Sequence, residues 1–150
     1  LQITRQSEYA IKILVDLASV PRGEIVHSKA IAERKKVPEK FLQKTIQVLV
    51  RTGLVESKRG TLGGVRLAVD PDRLTIADVV VAIEGPVTLN PCLNDVYNCE
   101  NRPVCQVHQI LKRGQKALLA ELSKETIGEI ARAIATMRKK EALPCERQVD

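Results

Sequence analysis

The stretch Val37–Val69, VPEKFLQKTIQVLVRTGLVESKRGTLGGVRLAV, decides how the whole chain is read. Its first half repeats with helical period. Phe41, Leu42, Ile46, Leu49 and Val50 fall on one face, which predicts a buried stripe. Lys40, Gln43, Lys44, Gln47 and Arg51 fall on the other. Pro38 suits the first helical position, where no intrahelical amide bond is lost, and Gly53 suits the residue past the end. In the second half, two β-prone runs, 54–58 and 65–69, flank Arg59–Gly64. Three glycines in that link predict a hairpin with backbone at positive φ.

Working outward, Tyr9, Ala10, Ile13, Leu14, Leu17 and Ala18 share a helical face, and Pro21 and Gly23 end that helix. A short second helix follows, with Ser28 as its N-cap. Three helices and then a two-stranded ribbon is the order of a winged helix-turn-helix, in which the third helix enters the DNA major groove. Beyond Asp70, Thr75 and Asp78 have capping-box spacing and Gly85 closes that helix. A long helical pattern starts near Val104. Val104, Val107, Leu111, Leu118 and Leu122 form its apolar seam, with Gly114 at a seam position. Packing on the first helix and self-association are both open to such a seam. Thr126 and Glu129 predict the start of a last helix. The expected fold is mainly α with a small β-hairpin wing. A winged helix-turn-helix DNA-binding domain spans 1–70, and a cysteine loop with dimerisation helices spans 71–150.

The composition agrees with packed helices: of 150 residues none is Trp, one is Phe and two are Tyr, so the core must be aliphatic. The formal net charge of +6 resides wholly in the residues up to Asp70. A localised basic excess is the usual footprint of a nucleic-acid binder, the plain alternative being a solvated surface. Gln can read adenine edges, and Lys and Arg meet guanine or phosphate. Lys40, Gln43, Lys44 and Arg59, the last at the ribbon tip, are therefore the candidate DNA contacts, and double-stranded DNA is the expected partner. No apolar run nears the roughly 18 residues of a membrane span. The opening residues, LQITRQSEYA, lack the apolar core of a signal peptide, so a cytoplasmic protein without membrane contact is expected. No triad, phosphate loop or paired carboxylates point to an enzyme.

Three of the four cysteines lie in Pro91–His108, PCLNDVYNCENRPVCQVH. Reduced thiols gathered in one loop suggest metal or redox work. Cys92, Cys99, Cys105 and His108 lack the tight Cys-x2-Cys knuckles of a structural zinc site. By spacing alone an iron–sulfur cluster, zinc and unliganded thiols all stay open. Cys145, in the charged tail, reads as a free thiol.

Taken together, SEYA near the start, the Val37–Ala68 stretch, LTIADVVVAIEG and the three-cysteine segment resemble the IscR- and NsrR-type bacterial regulators. These are dimeric winged-helix proteins that carry an iron–sulfur cluster. The resemblance covers nearly the whole chain. It implies that Cys92, Cys99 and Cys105 are thiolate ligands. For the fourth ligand it offers two candidates. His108 matches the IscR pattern with a 2Fe–2S cluster, the favoured assignment. Glu8, supplied by the partner subunit, matches the NsrR pattern with a 4Fe–4S cluster. The chain departs from the common pattern in having six residues rather than five between Cys92 and Cys99. The expected function is a homodimeric transcriptional regulator sensing cluster status, redox stress or nitric oxide. The alternatives are a cluster-free thiol- or metabolite-responsive repressor of the same fold and, in another class, an electron-transfer or scaffold protein carrying a cluster.

Overall fold

The computed structural model describes residues 3–142. The helices are α1 (Arg5–Ala18), α2 (Ser28–Lys35), α3 (Glu39–Arg51), α4 (Ile76–Glu84), α5 (Gln106–Leu122) and α6 (Ile127–Ala142). Strands β1 (Val55–Lys58) and β2 (Gly64–Leu67) lie between α3 and α4. They pair antiparallel, from Val55 opposite Leu67 to Lys58 opposite Gly64. Val26, in the link from α1 to α2, adds a bridge to Val65, with reciprocal amide bonds of 2.8 and 2.9 Å. Gly64 is required at that junction, because a Cβ would collide with the Val26 carbonyl.

α1 is the hub. It packs against α2, α3, α4, β2 and α6. Its Ala10, Ile13, Leu14 and Leu17 join Ile31, Leu42, Ile46, Leu49, Val55 and Val65 in one aliphatic core, which also takes in Leu74, Val79, Ile127 and Ala131. Buried Asp16 crosses from α1 to α2, accepting from Arg34 at 3.1 and 2.6 Å, with Lys35 at 3.7 Å. A buried carboxylate needs such partners, and here they fix the angle between the first two helices.

Several local expectations hold. Thr75 and Asp78 form a complete capping box, and Gly85 ends α4 with φ 83°. Thr126 and Glu129 exchange reciprocal bonds of 2.8 and 3.2 Å ahead of α6. Others shift. Pro38 is the N-cap of α3 rather than its first helical residue, its carbonyl accepting from Phe41 and Leu42 at 2.9 Å. The α2 cap is His27, which makes no side-chain cap bond, so Ser28 is already inside the helix. The buried stripe of α3 is Leu42, Thr45, Ile46 and Leu49. Phe41 is 55% exposed and Val50 37%. The face turned to α1 and β1 is rotated past both, and Thr45 enters it by returning its hydroxyl proton to the Phe41 carbonyl at 2.8 Å.

The long helix begins at Gln106, after a 3-10 turn over Arg102–Val104. Its seam does not lie on α1, whose flank is taken by α6; α5 packs on α4 and on the 3-10 turn Pro91–Leu93. Val104 and Val107 are exposed, and Leu111, Leu118 and Leu122 are half-buried. Within the chain, a Cβ at Gly114 would meet only Leu89, at an ordinary 3.7 Å.

Candidate nucleic-acid interface and thiol loop

The outer face of α3 carries Lys40, Gln43, Lys44, Gln47 and Arg51, all exposed. An open cleft of about 800 Å³ runs between this helix and the β1–β2 hairpin. Gln43, Gln47 and Arg51 line one side and Lys58 and Arg59 the other, with His27 and Ser28 at one end. Gln43 and Arg59 thus face one space, whereas Lys40 and Lys44 stand outside its lining, on the exposed face of α3. Among the described residues, Lys40, Lys44, Arg51, Lys58 and Arg59 form no ion pair. Uncompensated cations around a groove favour a polyanion. Sequence reasoning missed His27 and Ser28. Ser28 accepts a 2.9 Å hydrogen bond from the Gln43 amide, a contact between separate helices that no local pattern encodes.

The thiols stand on the segment joining α4 to α5. Cys92 lies in the first 3-10 turn, its amide donating to Asn90 Oδ1 at 3.0 Å. The Cys99 carbonyl accepts from the Arg102 amide at 3.1 Å, closing a turn just ahead of the second 3-10 turn. Cys105 caps α5, its Sγ accepting from the His108 amide at 3.4 Å. All three are free thiols and half-buried. His108 is buried, and its Nδ1 has no hydrogen-bond partner among the described residues. Glu8, on the first turn of α1, is paired with Lys12 at 2.6 Å and Arg5 at 3.2 Å. The Lys12 hydrogen bond, and the charges of Lys12 and Arg5, hold its carboxyl below the usual carboxylate range. Among the described residues, no three His, Cys, Asp or Glu side chains come together as a site for a metal ion. Cys145 lies outside the described residues.

Two further contacts anchor this segment. The Leu89 amide donates to Gln115 Oε1 of α5 at 3.0 Å. At the end of α4, Glu84 Oε1 accepts from the buried Ser7 hydroxyl, from the Thr4 amide at 3.0 Å and from the Thr4 hydroxyl at 3.1 Å. These bonds hold the Glu84 carboxyl below its ordinary value, the Ser7 hydroxyl contributing most. No helix of the described residues is long and apolar enough to cross a membrane.

The profile of the Rrf2 family, described as an iron-dependent transcriptional regulator, matches residues 3–133. The chain is 32% identical over 133 residues to the HTH-type transcriptional regulator NsrR of Bacillus subtilis, covering 88% of this chain and 91% of that protein. Among solved structures it is similar to CymR, the global cysteine regulator of B. subtilis. There the TM-score is 0.69 and the identity 26%, over 89% of this chain and 98% of that one. T. potens IscR shares the fold with a TM-score of 0.70 at 23% identity, over 95% and 92% of the two chains. The protein belongs to the Rrf2 family and is a DNA-binding transcriptional regulator of the winged-helix type.

Proposed function

We propose that this regulator binds a specific operator as a homodimer and that an iron–sulfur cluster controls that binding. Cys92, Cys99 and Cys105 supply thiolates and His108 the fourth ligand, which favours a 2Fe–2S cluster. The observation that carries the reading is the buried, unpartnered Nδ1 of His108, one helical turn beyond Cys105. An imidazole nitrogen buried without a partner is costly, and coordination to iron removes that cost. Three reduced thiols on one short segment are the donor set that such clusters take. When bound, a cluster supplies an oxidisable, nitric-oxide-reactive centre. The chain's own residues do the rest. Cys105 ties the loop to α5, Gln115 ties Leu89 to the same helix, and Glu84 ties the end of α4 to the start of α1. A change of order in the loop therefore bears directly on the helix that carries the DNA-binding half. A differential contact of about 1.4 kcal/mol between two states shifts their ratio tenfold.

The dimer forms through α5, whose Val107 and Ile110 are 63% and 57% exposed. Two copies of α3 then enter successive major grooves of a pseudo-palindrome, about 34 Å apart. Gln43 reads a base edge, Lys40 and Lys44 meet base or phosphate, and Arg59 meets the minor groove or phosphate. The protein works in the cytoplasm.

The deciding experiment is anaerobic purification with a visible spectrum and iron and sulfide counts. Coloured protein that loses its colour on Cys→Ala at any of the three positions supports the reading. A colourless wild type that binds zinc stoichiometrically sinks it. Comparing His108→Ala with Glu8→Ala assigns the fourth ligand. If only Glu8→Ala alters the spectrum, the ligand is Glu8 of the partner subunit and the cluster 4Fe–4S. A second reading, a cluster-free thiol-responsive regulator, is favoured by the separation of the donors within one chain and by the similarity to CymR. Colourless, metal-free protein whose operator binding changes on thiol oxidation would establish it.

A further inference from the structure

The serine that local sequence casts as the cap of α2 does not cap it. His27 takes that place with extended backbone, φ −64° and ψ 132°. Ser28, one position later and half-buried, turns its hydroxyl across to α3 instead. Its Oγ accepts from Gln43 Nε2 at 2.9 Å, and both residues line the cleft between α3 and the hairpin. Gln43 is otherwise exposed, a flexible side chain with nothing else to hold it.

We infer that Ser28 is a positioning residue for base recognition, fixing the orientation in which the Gln43 amide meets DNA. The inference rests on the proposed readout by Gln43. A glutamine amide has two N–H donors and a carbonyl acceptor. With one N–H given to Ser28, the remaining N–H and Oε1 form an adjacent donor–acceptor pair. Adenine presents the complement of that pair, N7 as acceptor and the N6 amino group as donor. Guanine presents two acceptors there and does not match. A glutamine without the serine can turn its amide over and offer N–H groups to guanine as readily. The serine hydroxyl keeps its own proton free for a phosphate oxygen, and giving it away holds Oγ in the acceptor role. Ser28 thus acts on sequence preference without touching a base.

The test is binding-site selection from a random duplex library with the full-length protein prepared without oxygen. Wild type, Ser28→Ala, Ser28→Thr and Gln43→Ala are compared, followed by competition with adenine or guanine at the position that Gln43→Ala alters. Ser28→Ala should lower the adenine preference at that position on the order of three- to tenfold, part of the discrimination that a bidentate contact carries and that a freely turning amide loses. Ser28→Thr, which keeps the hydroxyl, should restore it. An unaltered preference in Ser28→Ala where Gln43→Ala changes it overturns the role of Ser28 and leaves the Gln43 readout standing. A uniform loss over all sequences with the adenine preference intact also overturns it, making Ser28 a phosphate contact alone. A wild-type motif that survives Gln43→Ala overturns the readout and this inference together.

Discussion

Replacing Ile127 by Ala probes the least local feature of the fold, the return of α6 to the core of the DNA-binding half. Ile127 is wholly buried, its amide donates to the Leu74 carbonyl at 2.7 Å, and it belongs to the core that α1 and α3 build. The substitution removes three carbons, about 2.4 kcal/mol at roughly 0.8 kcal/mol per methylene. The cavity left behind raises this to about 3–4 kcal/mol, within the usual range for large-to-small core changes. Against a total stability of about 5–15 kcal/mol that is a large fraction. Urea unfolding should show it as a midpoint lowered by about 1.5–2 M, for a slope near 2 kcal/mol per M. Midpoints should be compared at one protein concentration, because subunit association adds to apparent stability. Leu62→Ala, at an 80% exposed position in the hairpin turn, is the control and should move the midpoint little. If Ile127→Ala shifts it no more than the control does, α6 is not part of this core and the packing argument is wrong.

Three other outcomes are expected. Because the folded Glu84 carboxyl titrates below its ordinary value, its contribution is complete above about pH 5 and is lost as pH falls through the folded pKa. Glu84→Gln should therefore cost about 1 kcal/mol at pH 7, a figure kept low because the carboxylate is solvent-screened. Urea midpoints should show that gap closing toward pH 3, and a gap independent of pH would refute the ionic role of the Ser7–Thr4 clasp. Leu111→Glu and Leu118→Glu should each weaken the dimer in sedimentation, since each places a charge in the α5 seam. An unchanged dimer in both variants removes the seam from the interface. Lys44→Ala, as a phosphate contact in each subunit, should reduce the slope of log K against log salt by about two for the dimer and leave the motif intact. A changed motif would make Lys44 a base reader.

Much of the candidate site was legible because it is local. Charge segregation before Asp70, the Gln- and Lys-bearing face of α3 and the glycine-rich hairpin are short-range patterns, and the structure turns that face outward. The thiol loop was equally plain from composition. The fourth ligand of the proposed cluster was not, because His108 and Glu8 sit on different elements and the choice depends on which of them meets the thiols in the proposed dimer. Phe41 illustrates another limit. Helical period groups it with Leu42 and Ile46, but only the positions of α1 and β1 decide which edge of an apolar stripe stays in water.

By itself, then, the sequence determined the elements, their order and their ends. Caps, glycines and apolar period act over three or four residues, as at Thr75–Asp78 and Thr126–Glu129. Only the tertiary structure decided that α6 rather than α5 covers α1, that Val26 joins the hairpin, and that Ser28 serves Gln43 instead of capping α2. Each of these joins residues far apart in the chain, and each turns on a competition between faces of similar apolarity or between two uses of one hydroxyl. The free-energy differences lie in burial and hydrogen bonding between elements, which exist only once those elements have docked.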